Sequence, residues 1–278
     1  MKKSTSIMVF VTLVLGVAIG ILVAFVFLKG PAVKTTPAPT VAEKHPMPTQ
    51  VAHPAARYPI SPEKQTETAP KGEKKAGEKP LPTLNDSDEA MRETLAELYP
   101  AGKLASLFIG DHFVQRFVLM VDNLPRHALP INRLPTRAAS GNFVTQGEEG
   151  HQFISPDNYR RYASFVHFVD ALDAKKVVAL YAHFYPLFQQ AYQQLGYPRG
   201  HFNDRLIEVI DHLLATPDAH QPVKVLQHVV RYKYADPSLE KLSAGQKIMI
   251  RLGEDNAARI KEKLREIRRE LIARAISD

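Results

Sequence analysis

The run from Ile7 to Leu28, 22 residues without a charged side chain, constrains this chain more than any other feature. At a rise of 1.5 Å per residue, a helix of that length spans about 33 Å, matched to roughly 30 Å of hydrocarbon. Backbone polar groups find no water in that layer, so a crossing segment must be helical. A secretory signal peptide would carry an apolar region of about 7–15 residues and then a small-x-small cleavage site. This run is longer, and Phe25-Val26-Phe27-Leu28-Lys29 leads out of it without such a site. The expectation is an uncleaved signal anchor over residues 1–29. Lys2 and Lys3 precede the run, which places the N-terminus in the cytoplasm and the rest of the chain across the membrane. For a bacterium that means a single pass through the inner membrane and a C-terminal domain in the periplasm. Gly16 and Gly20, four apart on one face, mark a candidate transmembrane dimer seam and thus a homodimer. The competing explanation is that glycine is simply common in membrane helices.

The formal charge of +7 resembles a nucleic-acid signal until it is divided along the chain. Residues 84–278 carry 25 Lys/Arg against 24 Asp/Glu, so the basicity sits in the anchor and the segment after it. Phosphate backbones call for a basic domain or a clustered basic face, and the balance argues against nucleic acid as a partner. Residues 30–83 hold 11 of the 21 prolines and few large apolar side chains. Such a composition cannot bury enough surface to offset its ordering entropy, and it reads as a Pro-rich disordered tether. The absence of Cys excludes a disulfide framework, a Cys-ligated metal centre and a cysteine nucleophile.

From Leu84 onward the pattern turns helical, so the fold class is mainly α: an N-terminal transmembrane helix, the tether, then one helical domain over 84–278. Leu104, Leu107, Phe108, Val114, Phe117, Val118 and Val121 keep helical spacing up to Pro125. Residues 124–141 have prolines and no periodicity, and read as a long loop of functional interest. Phe143-Val144-Thr145 and Gln152-Phe153-Ile154 flank Gly147-Glu148-Glu149-Gly150 and predict a small hairpin. Ser155-Pro156, Asp173, Asn203 and Ser243 with Gln246 predict helix starts; Gly196 and Gly253 predict stops. Pro186 should kink or split the helix it lies in. Residues 223–234 suit a strand by composition and a helix by length. The last helix shows a seam of Ala257, Ile260, Leu264, Ile267 and Leu271, spaced to dock on the domain's own core or on a second copy.

Several ordered blocks in the C-terminal half carry a resemblance. They are Phe202-Asn203-Asp204-Arg205-Leu206-Ile207, Tyr234-Ala235-Asp236-Pro237-Ser238-Leu239-Glu240, Leu242-Ser243-Ala244-Gly245-Gln246-Lys247 and Arg251-Leu252-Gly253. These resemble a bacterial family of single-pass envelope proteins, catalogued as domain of unknown function 3014. The resemblance extends over roughly 84–272 and implies an anchor, a variable Pro-rich tether and one helical domain. It brings no catalytic residues with it.

The residues themselves offer few chemistries. The nine His of the folded part form neither a His-x-x-x-His pair nor a His-Glu-x-x-His pattern. Asp204, Glu208, Asp211 and His212 fall along one helix side, like half of a carboxylate–histidine metal site, but no Glu-x-x-His half faces them. They read as a solvated polar face. Phosphate-loop and nucleophile-elbow patterns are missing, so no catalytic, metal or cofactor site is assigned and no cofactor is expected. Tyr232, Tyr234, Asp236, Lys247 and Arg251 mix aromatics with charge and form the candidate partner face. The plainer account makes Asp236 a helix cap, packs the tyrosines and leaves Lys247 and Arg251 in solvent. The expected function is a non-catalytic, membrane-tethered periplasmic interaction or scaffold module whose partner is another envelope protein. The alternative is a cell-envelope hydrolase or ligand-binding domain with its site under the 124–141 loop and Glu148 or Glu149 as the acids.

Overall fold

The computed structural model describes residues 55–60, 81–98, 111–136, 142–228 and 231–277. The apolar run, Gly16, Gly20 and most of the Pro-rich segment lie outside the described residues. Among the described residues no helix is long and apolar enough to cross a membrane.

Helix α1 (Ser87–Leu98) leads towards α2 (Phe113–Asn123). His112 enters α2 with a left-handed backbone, φ 56°, and the Asp88 carboxylate accepts both the His112 and Phe113 N–H groups at 2.7 and 2.9 Å. The helix therefore starts at Phe113; the earlier part of the expected run, residues 99–110, is outside the described residues. Residues 124–136 are not an idle loop. Leu129, Leu134 and Thr136 are buried, a 3-10 turn covers Ile131–Arg133, and the Arg116 guanidinium donates to the Asn132 carbonyl at 3.3 Å.

The capping signals act where the sequence puts them. Ser155 caps α3 (Pro156–Asp170) with proline in the first turn, and Asp173 accepts from Lys175 and Lys176 N–H to open α4 (Ala174–Gln194). Pro186 lies inside α4, which runs through it without splitting. Gly196, at φ 115°, ends that helix in the left-handed region where a side chain would be strained. Asn203 is not the cap of α5 (Phe202–Leu214): the N-cap is His201, which makes no side-chain cap bond. Gln189 of α4 serves this helix start instead, accepting from Phe202 N–H at 2.8 Å and donating to Gly200 O at 2.7 Å. That frees the Asn203 amide to turn elsewhere.

Within residues 223–234 the chain forms strands at Lys224–His228 and Arg231–Tyr234. The sheet runs β1 (Thr145–Gln146), β2 (Gln152–Ile154), β3 (Lys224–His228), β4 (Arg231–Tyr234), all antiparallel and in that order. The expected hairpin is thus the smaller half of a four-stranded sheet. Val225 opposite Tyr234 faces a small core with Ile154, Val223 and Ile250, while Leu226 opposite Lys233 faces outward, the two-residue period of a half-buried sheet. Short α6 (Pro237–Glu240) and α7 (Ala244–Arg251) follow, α7 opened by a complete Ser243–Gln246 capping box. Gly253, at φ 83°, separates α7 from α8 (Glu254–Ser277).

Helix α8 docks into the molecule: Ile260, Leu264, Ile267 and Leu271 are at most 2% exposed, and the helix packs on α3, α4 and α5. The main core closes around rings from three helices. Phe117 meets Phe188 edge-on at 5.5 Å, and Phe188 stacks on Phe202 at 6.0 Å.

Candidate functional site

A short stretch of the Pro-rich segment is seated on the folded unit. Exposure alternates along Ala55–Ile60, with Ala56, Tyr58 and Ile60 turned inward; Ile60 is 6% exposed and joins the main core. Its seat is the start of α5. The chain bends at Arg57–Tyr58, so two successive N–H groups converge on one carboxylate: Arg57 N–H donates to Asp204 Oδ2 at 3.0 Å and Tyr58 N–H to Oδ1 at 2.9 Å. Paired backbone N–H groups of this kind form a natural anion cradle, filled here by the aspartate. The amide of Asn203, freed from capping duty, donates to the Tyr58 carbonyl at 2.9 Å. All three bonds engage main chain. Side-chain information comes from Ile60 in the core, Tyr58 at its rim and an exposed Arg57–Glu208 pair at 3.7 Å.

Beneath the seat lies a charge network that fixes α5. Asp122 of α2 is 2% exposed, and Arg205 reaches it with Nε to Oδ1 at 3.1 Å and a second nitrogen to its carbonyl at 2.9 Å. Arg126 adds a bond to Asp122 Oδ2 at 2.6 Å, which raises the Arg126 pKa, and the Tyr197 hydroxyl donates to the same oxygen at 3.2 Å. Arg205 also holds Glu208 at 3.1 Å. Arg57, Glu208, Arg205 and Asp122 therefore form one continuous line from the seated segment to the interior. A buried carboxylate so fully bonded meets the condition under which a buried ion is tolerated.

The polar face of α5 is accordingly not free in solvent. Asp204 holds the seated segment, Glu208 holds Arg57 and Arg205, and Asp211 accepts from Arg268 Nε and Nη2 at 2.5 and 3.1 Å. His212 Nε2 lies 2.7 Å from Ser243 Oγ; burial, and secondarily Arg205, push its pKa down. Among the described residues no three His, Asp or Glu side chains stand together as a metal ion would need.

The partner-face residues of the sequence do meet, at the junction of β4, α6 and α7. Asp236 caps α6 through Ser238 N–H at 2.7 Å. Tyr234 is 5% exposed, its hydroxyl donates to the Lys247 carbonyl at 3.0 Å, and burial pushes its pKa up to about 12 while nearby Arg251 pulls the other way. Arg251 lies over the Tyr234 ring at 5.9 Å, and Lys247 is not in solvent but pairs with Glu240 at 3.0 Å. Tyr232 packs beside Phe143 at 5.4 Å. This arrangement joins sheet to helices. Glu148 and Glu149 stand exposed in the hairpin turn. A cleft of about 250 Å³ opens elsewhere, between residues 216–221 and the start of α8, with Thr216, Asp218, Gly253 and Lys261 on its walls.

Sequence reasoning missed the seat. A signal was present: Tyr58 is the sole aromatic residue and Ile60 the sole isoleucine of residues 30–83.

A family model described as Protein of unknown function (DUF3014) matches residues 113–268, more than half of the chain. No curated protein and no solved structure matches it. The matched range contains Asp122, Asn203, Asp204 and Arg205 and does not include Ala55–Ile60.

Proposed function

We propose, on the premise that this chain belongs to the DUF3014 family of proteins of unknown function, that it is a non-catalytic interaction module of the bacterial cell envelope. In this reading Ile7–Leu28 anchors it in the inner membrane, Lys2 and Lys3 stay in the cytoplasm, and the helical domain works in the periplasm on another envelope protein. The observation that carries the interaction role is the seat on α5, which holds a linear segment from 147 residues away through main-chain hydrogen bonds. A surface that grips backbone in this way suits recognition of a peptide rather than turnover of a substrate.

Two measurements test the proposal. Alkaline phosphatase fused after residue 84 is expected to be active, and activity of a cytoplasmic reporter at that point would reverse the topology. In-cell crosslinking of the full-length chain is expected to capture one envelope protein reproducibly. Should nothing be captured, while the purified protein releases products from peptidoglycan and loses that activity on Glu148→Gln or Glu149→Gln, the hydrolase reading replaces this one.

A further inference from the structure

The seated segment is an unusual part of a fold. It comes from the Pro-rich region, and its residues 55–60 lie outside the range matched by the family model, whereas its seat lies inside. Its grip is also incomplete. Asn203 is 0% exposed, yet only its amide nitrogen is used; the carbonyl oxygen Oδ1 has no hydrogen-bond partner among the described residues. A buried polar group left unsatisfied is costly, and almost all such groups in native proteins are paired. The resident segment therefore fills the seat without using all that the seat offers.

We infer that the start of α5 is a peptide-recognition site, held at rest by residues 55–60 as an intramolecular occupant. Its partner is a short linear peptide of another polypeptide with an aromatic–Pro–aliphatic pattern. This deepens the proposed function and rests on it. Backbone recognition by Asp204 and Asn203 admits any segment that can present two successive N–H groups, and Tyr58 and Ile60 define the side-chain pattern. Covalent connection through the twenty residues 61–80 makes the occupant's return to its seat an intramolecular event. An identical segment from a second copy cannot compete with that. A partner must bind more tightly, and a hydrogen-bond donor placed to reach Asn203 Oδ1 supplies the difference.

The test uses the full chain in detergent micelles with a protease site inserted within residues 61–80. After cleavage, the N-terminal piece and the domain are expected to co-elute, and to part when a synthetic peptide of residues 51–64 is added at about millimolar concentration. Ile60→Asp, which alters only the occupant, should let the pieces part on cleavage alone, and the domain so freed should bind the labelled peptide. Within a series of such peptides carrying single Ser, Thr or Asn substitutions, at least one should displace the occupant at a tenfold lower concentration. The inference is overturned if neither the peptide nor Ile60→Asp separates the pieces, since the segment is then a fixed part of the fold. It is also overturned if the freed domain, with unchanged circular dichroism, binds no peptide, or if no substituted peptide improves on the native one. None of these failures touches the envelope-protein capture, which would fail by itself if the proposed function were wrong.

Discussion

Asp88 and Asp204 perform the same task from different helices, each clasping two successive backbone N–H groups, one pair at the entry of α2 and the other in the seated segment. Asp122 differs in being enclosed, and its loss should be felt across the molecule. Asp122→Ala would remove the carboxylate shared by Arg205, Arg126 and Tyr197, leaving Arg205 only Glu208 and a backbone carbonyl, at a cost of about 3 kcal/mol. We predict a melting temperature lower by roughly 6–12 °C by calorimetry on the full chain, and a change under 2 °C would mean the network contributes little. His212 sets a pH dependence. Its folded-state pKa lies below the ordinary 6.5 because burial and then Arg205 disfavour the imidazolium. The unfolded chain thus takes up the proton first. The stability gained from the neutral ring is complete above about 6.5 and drains as the pH falls from there through the folded-state value. Wild type should accordingly lose more stability between pH 7.5 and pH 5 than His212→Gln does, as read by urea unfolding; equal losses would place the acid sensitivity elsewhere.

At the level of elements, α8 is the piece on which the others close, touching α3, α4 and α5 along one buried seam. Leu264 is 2% exposed there, so Leu264→Ala should cost about 2–5 kcal/mol by the loss of burial and the cavity left behind. Sedimentation should show the oligomeric state unaltered; a lost dimer with unchanged stability would assign the seam to a second copy. This seam was legible in the sequence because its spacing repeats over four turns. The caps at Ser155, Asp173, Asp236 and Ser243 were legible too, since each is decided within three residues. Strands β3 and β4 were not, because eleven residues rich in Val and Tyr suit either state. What settles them is β2, paired with β3 in the register Gln152 to Val225. The seat on α5 was hidden for a similar reason. Tyr58 and Ile60 were averaged into a Pro-rich stretch whose composition forbids a core of its own, and the core they join belongs to helices far along the chain. Lys247 was misjudged as solvated because Glu240, its partner, faces it only once β4 and α6 have folded back.

On the scale of the whole molecule, two hydrophobic cores are joined through α7: Ile248 and Met249 belong to the helical one, Ile250 to the one under the sheet. The near-neutral charge of residues 84–278 leaves the folded unit without a dominant net charge, so the recognition proposed for it rests on shape and backbone geometry more than on long-range steering. For a chain anchored through Ile7–Leu28, as proposed, the seated segment also governs how load is carried. A pull from the membrane that arrives through residues 55–60 is borne by Asp204, Asn203 and the buried Ile60. While that grip lasts, residues 61–80 stand outside the line of force, because the load enters the domain before it reaches them. When it yields, the chain between residue 60 and residue 81 comes under load and adds at most about 70 Å of contour at roughly 3.4 Å per residue. The domain's working height above the bilayer would then have two settings separated by a mechanical threshold, like a safety line with a stitched fold that tears open once.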